Sequence, residues 1–315
     1  MALQLMTEKW SGEVSLVSIG STKEEGGTRD HALKIGGEKS LPCLFQEGAI
    51  PYKPQVVFEI WDIAPTDWPS ELTLAYGESL NDPLEWARVC VQDYKAECLC
   101  LRLQGAHPDF GNKSPAEEAK LIKELLTKVK VPLIIIGSGD DSKDNLLLPA
   151  CSEAAKGERC LIGQAAQDNY KTIVASVLAD GHNIIAESPI DINIAKQLNI
   201  LISDMGLPLE RIVMNPTIGA LGYGLEYAYS IMERSRLAAL SGDKTVASPF
   251  ICFVGQEAWR AKEAKTGEAN QGIIWEALTA TVLIQAGADL LIMRHPLAIE
   301  KVNQYIEHLF ARSPV

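Results

Sequence analysis

Eight short apolar runs recur along the chain, each ending in polar or glycine residues, and their number constrains the fold more than any other feature. They are Val56–Asp62, Cys98–Gln104, Leu133–Gly139, Cys160–Gly163, Ile184–Ser188, Ile212–Pro216, Phe250–Gly255 and Asp289–His295. Runs this short and continuous read as parallel strands buried on both faces, because a half-exposed strand would alternate with polar residues. Helical stretches separate them, and eight strand–helix units are the number that closes a (β/α)8 TIM barrel. The expected organisation is an N-terminal β-hairpin extension and linker over residues 1–54, then an α/β TIM barrel over residues 55–315. The polar strand ends would meet on the barrel's C-terminal rim, where barrels place their ligand sites.

A chain of 315 residues suits one such barrel with an extension. Its hydrophobic fraction of 47% and charged fraction of 22% are ordinary for a globular protein. The net charge of −12 and isoelectric point near 5.0 argue against nucleic acid or an anionic membrane as partner. No stretch approaches a membrane span, and Met1–Trp10 lacks the basic start and apolar core of a signal peptide, so a cytoplasmic location is expected. The seven cysteines contain no Cys-x-x-Cys pair and so form no disulfide framework or recognisable zinc or iron–sulfur spacing. Cys98 and Cys100, two apart on one strand, face the same side and read as small buried hydrophobes.

The alternation over Glu13–Ile19, the turn Lys23–Gly27 and the run Ala32–Ile35 predict an N-terminal β-hairpin that covers the closed end of the barrel or docks a partner. Three prolines lie between Gly36 and Pro54 on the way to the first barrel strand. Asn81-Asp82-Pro83 predicts one helix start and Ser114-Pro115-Ala116-Glu117, with Glu117 at the capping-box position, another. Further helices are expected near Asn145–Lys156, Asp168–Asp180, Asp191–Asp204, Gly224–Leu240, Asn270–Ala286 and Pro296–Phe310, and an extra one over Gln256–Gly267.

The strand-end residues Asp62, Arg102, Gln104, His107, Ser138, Glu187, Asn215, Arg294 and His295 form a polar, mixed-charge set of the kind that lines a ligand pocket. Asp62 and Glu187 are either a carboxylate pair for acid–base work or ties between strand ends. Two glycine loops, Gly137-Ser138-Gly139 and Asn215–Gly224, allow a large planar ligand or a phosphate to approach the backbone, or simply meet a need for positive φ. Neither has the spacing of a dinucleotide or P-loop fingerprint. His182 precedes a strand and reads as a structural residue of the closed face. No histidine spacing suggests a metal site.

Taken together, Gly36-Gly37-Glu38 with Leu41-Pro42, Val56–Asp62, Met214-Asn215-Pro216-Thr217, Gly222-Tyr223-Gly224-Leu225-Glu226-Tyr227 and the helix Met232–Leu240 resemble the corrinoid/iron–sulfur protein small subunit, which includes the acetyl-CoA decarbonylase/synthase delta subunit. The resemblance spans nearly the whole chain. It implies a methyl carrier of the anaerobic acetyl-CoA (Wood–Ljungdahl) pathway that is not catalytic alone. It further implies a heterodimer with a large subunit that bears a 4Fe–4S cluster and a corrinoid-binding domain. In that family the corrinoid (cobamide) lies between that domain and the barrel rim. A methyltetrahydrofolate:corrinoid methyltransferase loads the methyl group, which passes on to acetyl-CoA synthase.

Two features of the sequence agree with it. Cluster-type cysteines are missing, and the Asp-x-His-x-x-Gly corrinoid motif is absent, since Asp180-Gly181-His182 is followed by Ile185 where glycine is needed. The residues expected to touch the corrinoid are Ser138, Asn215, Thr217, Tyr223 and Arg294, by hydrogen bonding and not by bond making. No catalytic or metal-ligating residue is assigned. The rival readings are a free-standing pterin-dependent methyltransferase, with Asp62, Glu187 and Asn215 holding the pterin, and a pure docking scaffold.

Overall fold

The computed structural model describes residues 6–266, 268 and 270–311. The ends of the two expected segments, residues 1–5 and 312–315, and Gly267 of the expected extra helix lie outside them. Two short strands come first, β1 (Val17–Ile19) and β2 (Leu33–Ile35). All eight apolar runs then follow as strands: β3 (Gln55–Trp61), β4 (Leu99–Arg102), β5 (Leu133–Ile136), β6 (Leu161–Ala165), β7 (Asn183–Glu187), β8 (Ile212–Asn215), β9 (Phe250–Cys252) and β10 (Ala288–Met293). These eight pair in parallel and in sequence order, and β10 returns to β3 to close the barrel. β-Branched runs such as Ile134-Ile135-Ile136 favour this arrangement, because both faces of each strand are covered.

The helices follow the expected order. They are α1 (Ser70–Tyr76), α2 (Pro83–Gln92), α3 (Pro115–Lys128), α4 (Asp141–Ala154), α5 (Tyr170–Asp180), α6 (Ile192–Asp204), α7 (Leu225–Leu240), α8 (Val254–Ala258), α9 (Gln271–Ala286) and α10 (Pro296–Phe310). The cap signals work as physical chemistry requires. The Asp82 carboxylate accepts from the Leu84 N–H, and Ser114 and Glu117 form a reciprocal capping box at the start of α3.

Three departures have local causes. α1 has only seven residues, and Pro69 at its cap offers no side-chain acceptor, so no sequence signal marks its start. α4 begins before Asn145 because Asp140 accepts from the Lys143 N–H. The extra helix is confined to α8 and is followed by a single 3-10 turn at Glu263–Lys265.

The N-terminal hairpin exists and covers the closed end. β1 and β2 pair antiparallel, with Val17 opposite Ile35 and Ile19 opposite Leu33. These four side chains join the barrel-interior residues Val57, Cys98, Cys100, Ile134, Leu161, Ile185, Val213 and Leu290 in one buried cluster. Cys98 and Cys100 are thus interior packing residues.

The connection between the two hairpin strands is longer than a tight turn because it carries its own anchor. Arg29 is 1% exposed and bonds the Glu158 carboxylate at 2.8 Å, together with the backbone carbonyls of Leu126 and Val129 near the end of α3. A cation there answers the carbonyls that a helix C-terminus leaves unpaired. His182, fully buried, bridges the Cys160 N–H and the Ser152 carbonyl on the same closed face.

The linker after the hairpin lays Glu38 against Arg236 and Asp289. Arg236 is 3% exposed, donates to Asp289 and to the Gly287 carbonyl, and stacks on Phe250. Burial, and then repulsion from Asp289, push the Glu38 carboxyl up to about 8 despite Arg236. With a folded value of about 8 against an ordinary 4.5, the folded chain binds the extra proton between those pH values. The stabilising contribution is therefore complete below 4.5 and is lost as pH rises through 8.

Two substitutions probe this end of the barrel. Ile19→Ala empties fully buried space between hairpin and barrel and should lower unfolding free energy in urea by about 2–5 kcal/mol. Glu38→Gln removes the charge that alkaline pH would bury, so its melting temperature should exceed the parent's above pH 8 and converge with it near pH 5.

Candidate functional site at the barrel mouth

Side-chain alternation along a strand carries the barrel interior from apolar to polar. Val57 is followed two residues later by Glu59, Cys100 by Arg102, Ile136 by Ser138, Ile185 by Glu187, Val213 by Asn215 and Ile292 by Arg294. The first members of these pairs all belong to the buried interior cluster. The second members gather toward the C-terminal mouth, around a cavity of about 300 Å³.

Its walls include Arg102, Gln104, His107, Ser138, Gly139, Glu187, Asn215 and Thr217, most of the strand-end set expected from sequence. Gln164, Ile218, Phe253, Gln256, Glu257 and Arg260 complete it. Asp62, Tyr223, Arg294 and His295 are not among the lining residues.

A buried ion triad supports the mouth. Glu59 is fully buried and accepts from Arg102 Nε at 2.6 Å, Arg294 Nε at 2.8 Å and Trp61 Nε1 at 2.9 Å. Burial would raise the Glu59 carboxyl, but Arg294 and Arg102 override it and hold the group well below the usual carboxylate range. Arg294 is additionally stacked over Trp68 and Trp61, 4.9 and 5.4 Å from the ring centroids. Arg102 sits 5.7 Å from the Phe253 centroid and donates to Gln256 at 2.6 Å. Two cations on one carboxylate leave a net positive charge, and of the two it is Arg102 that lines the mouth, where Arg260 also stands.

The other candidates have definite partners. Ser138 donates through N and Oγ to Asp144, and Gly139 N–H donates to the same carboxylate, so these glycine-loop N–H groups are engaged within the chain. Asn215 donates to Glu187 at 2.7 Å and accepts from the Thr217 N–H at 3.1 Å, and Gln164 also donates to Glu187. Burial pushes the Glu187 carboxyl up, against the hydrogen bond from Asn215. Thr217 has φ 55° and donates to the Ser188 carbonyl at 2.6 Å. In the same loop Gly222 and Gly224 have φ 79° and 94°, a conformation that favours glycine, so the loop's glycines meet a backbone requirement.

Tyr223 is 46% exposed at the edge of this loop, and its hydroxyl joins Glu263 at 2.9 Å to the Lys262 N–H at 3.1 Å. Asp62 and Glu187 belong to different networks. Asp62 accepts from the Gly105 N–H at 2.8 Å and from Lys113 at 3.0 Å, tying β3 to the loop after β4. His295 caps α10 through the Leu297 N–H, and burial holds its imidazole down at about 4.

Sequence reasoning passed over Glu59, although a carboxylate at an inward position inside an apolar run is a legible signal. Gln164 falls off that alternation, because Leu161 faces the interior and the register shifts between Ile162 and Ala165, so parity gave no sign of it. Gln256, on the short α8, and Arg260, in the turn after it, carried no comparable mark. Among the described residues no group of three His, Cys, Asp or Glu side chains is placed to hold a metal ion.

Removing the carboxylate of the triad strands two buried guanidinium groups. Glu59→Gln should therefore cost about 3–5 kcal/mol of stability at pH 7, read from the urea midpoint.

Comparison with known proteins adds ancestry to this geometry. The family model described as the CO dehydrogenase/acetyl-CoA synthase delta subunit matches residues 17–306. The acetyl-CoA decarbonylase/synthase complex subunit delta of Methanocaldococcus jannaschii is 36% identical over 303 residues, covering 94% of this chain and 74% of that protein. Its counterpart from Methanopyrus kandleri is 35% identical over 306 residues, covering 95% and 76%. Among solved structures, dihydropteroate synthase from Xanthomonas albilineans with 4-aminobenzoic acid superposes with a TM-score of 0.59 at 13% identity, covering 84% of this chain and 94% of that one. The dihydropteroate synthase of Thermus thermophilus gives 0.56 at 12% identity, covering 87% and 100%. At that identity the likeness speaks to the barrel alone. No helix of the described residues is long and apolar enough to cross a membrane.

Proposed function

Because the chain belongs to the CO dehydrogenase/acetyl-CoA synthase delta subunit family, we propose that it works in that complex as the small subunit of a corrinoid/iron–sulfur methyl carrier, its barrel mouth capping the corrinoid. The observation that carries this reading is the chemistry of the mouth. Four amide side chains, Gln104, Gln164, Asn215 and Gln256, line it, and the charge at its base is neutralised in part by Glu59. A corrin ring is edged with carboxamide groups, which pair with protein amides as both donors and acceptors. Such a macrocycle is too large to enter about 300 Å³ and would rest across the opening.

When bound, the corrinoid supplies the cobalt that carries the methyl group. The chain's own residues orient and shield. Asn215 and Thr217 offer their remaining hydrogen-bonding capacity from the wall, Ser138 holds the adjoining loop through Asp144, and Tyr223 offers an exposed ring at the edge. Arg294 acts from below by fixing Glu59 and, through it, Arg102. The remaining parts of the reading concern other chains. A large subunit would carry the corrinoid-binding domain and the 4Fe–4S cluster in a heterodimer with this one. A methyltetrahydrofolate:corrinoid methyltransferase and acetyl-CoA synthase would be the donor and acceptor partners.

Coexpression with the large subunit tests it. The purified heterodimer should show a corrinoid absorbance band, and Asn215→Ala combined with Gln164→Ala should reduce it about tenfold while the heterodimer persists. An undiminished band in the double variant would sink the proposal.

One observation favours a second reading, a pterin-dependent methyltransferase. Glu187, raised by burial, stands beside Asn215 at the mouth, and together they offer a donor and acceptor edge to a pterin. Turnover of methyltetrahydrofolate with free cobalamin by the isolated chain would favour it, and inactivity would remove it.

A further inference from the structure

On the barrel's flank the ring of helices stays open. α10 packs on α9 and β3, α2 packs on α3 and β3, and a groove of about 1060 Å³ runs between α10 and the start of α9 on one side and α1 and the residues after α2 on the other. It shares no lining residue with the mouth.

The floor is apolar. Phe58 and Ile299 are buried beneath it, while Leu74 and Leu297, 81% and 38% exposed, line it. Along α10 the lining positions Leu297, Glu300, Gln304 and Glu307 step by three or four residues. One face of that helix therefore borders the groove over roughly 15 Å, about three helical turns.

The charges lining the groove share one sign. Glu71, Asp93, Glu300 and Glu307 are acidic, and no lysine or arginine of the described residues lines it. Glu71 accepts from the Asn270 N–H at 2.7 Å and Glu307 pairs with Lys53 at 2.6 Å. Asp93 and Glu300 are exposed and make no ion pair among the described residues. An apolar patch around Phe58, Leu74, Leu297 and Ile299, continued along α10 by the polar and acidic positions Glu300, Gln304 and Glu307, is the complement of an amphipathic helix with basic flanks.

We infer that this groove receives one amphipathic helix of another subunit, its apolar face on Leu74 and Leu297 and its lysines or arginines on Asp93 and Glu300. A second copy of this chain is the wrong occupant, since a net charge of −12 would set acid against acid. The inference rests on reading the chain as one subunit of an assembly, and adds an attachment separate from the mouth.

The probe is a labelled model helix of about 18 leucines and lysines, with the leucines on one face, titrated against the full chain by fluorescence anisotropy. Saturable binding in the micromolar range is expected, weakening at least tenfold in the Leu74→Glu/Leu297→Glu variant. Glu300→Lys should weaken the lysine helix and strengthen a glutamate counterpart. All three positions are solvent-exposed, and unchanged circular dichroism and melting temperature would confirm that the variants fold. No saturable binding, equal binding of a scrambled peptide, or indifference to the variants would overturn the inference. Reconstitution with the other subunits separates it from the functional reading. A groove variant that assembles with unchanged affinity defeats the groove alone, whereas an assembly that never holds corrinoid, with the groove intact, defeats the mouth's role alone.

Discussion

Two guanidinium groups gathered on one buried carboxylate hold the top of this barrel together. Glu59, Arg102 and Arg294 come from β3, its neighbour β4 and the end of β10, and β10 lies beside β3 only because the barrel closes. Closure therefore creates the triad, and the triad in turn makes the closed form specific, since any register slip would leave a charge buried alone. It also sets the polarity of the mouth. Arg102 delivers positive charge to a wall of amides, while Arg294 is withdrawn under two tryptophans.

The barrel was legible because parallel strands covered on both faces must be short and apolar, and no other element looks quite like eight of them in a row. Helix starts were legible where a side chain does the capping, as at Asp82 and Ser114, and illegible where the cap is Pro69 or is imposed from outside, as for α1 and α8. The mouth was legible to the extent that parity along a strand is: Ser138, Glu187 and Asn215 fall where alternation puts them. Partners were not. Nothing local says that Ser138 turns to Asp144, that Asp62 faces Lys113, or that Arg294 stacks on Trp61 and Trp68. Those pairings depend on helices and loops that approach from elsewhere in the sequence. Arg29 is the sharpest case, a charged residue in a turn-like segment that the fold buries against the end of α3.

Mouth and flank groove are chemically different surfaces on one scaffold. The mouth offers amides and hydroxyls whose charges are mostly answered within the chain, which suits a large neutral rim of polar groups. The groove offers apolar surface beside acids of which Asp93 and Glu300 make no ion pair among the described residues, which suits a protein segment. On the function and the groove proposed above, such a division has a use, because contact made on the flank would leave the mouth to the ligand.

The hairpin beneath the barrel has a kinetic consequence. Its four apolar side chains emerge from the ribosome ahead of every barrel strand, and the buried cluster they join includes Leu290 and Ile292, more than 250 positions later in the chain. Contacts so distant carry a heavy loop-closure cost and form late. Until β10 is made, the chain carries a short apolar ribbon with no place to bury it, so the segment that seals the finished protein is the one most exposed while it is being made.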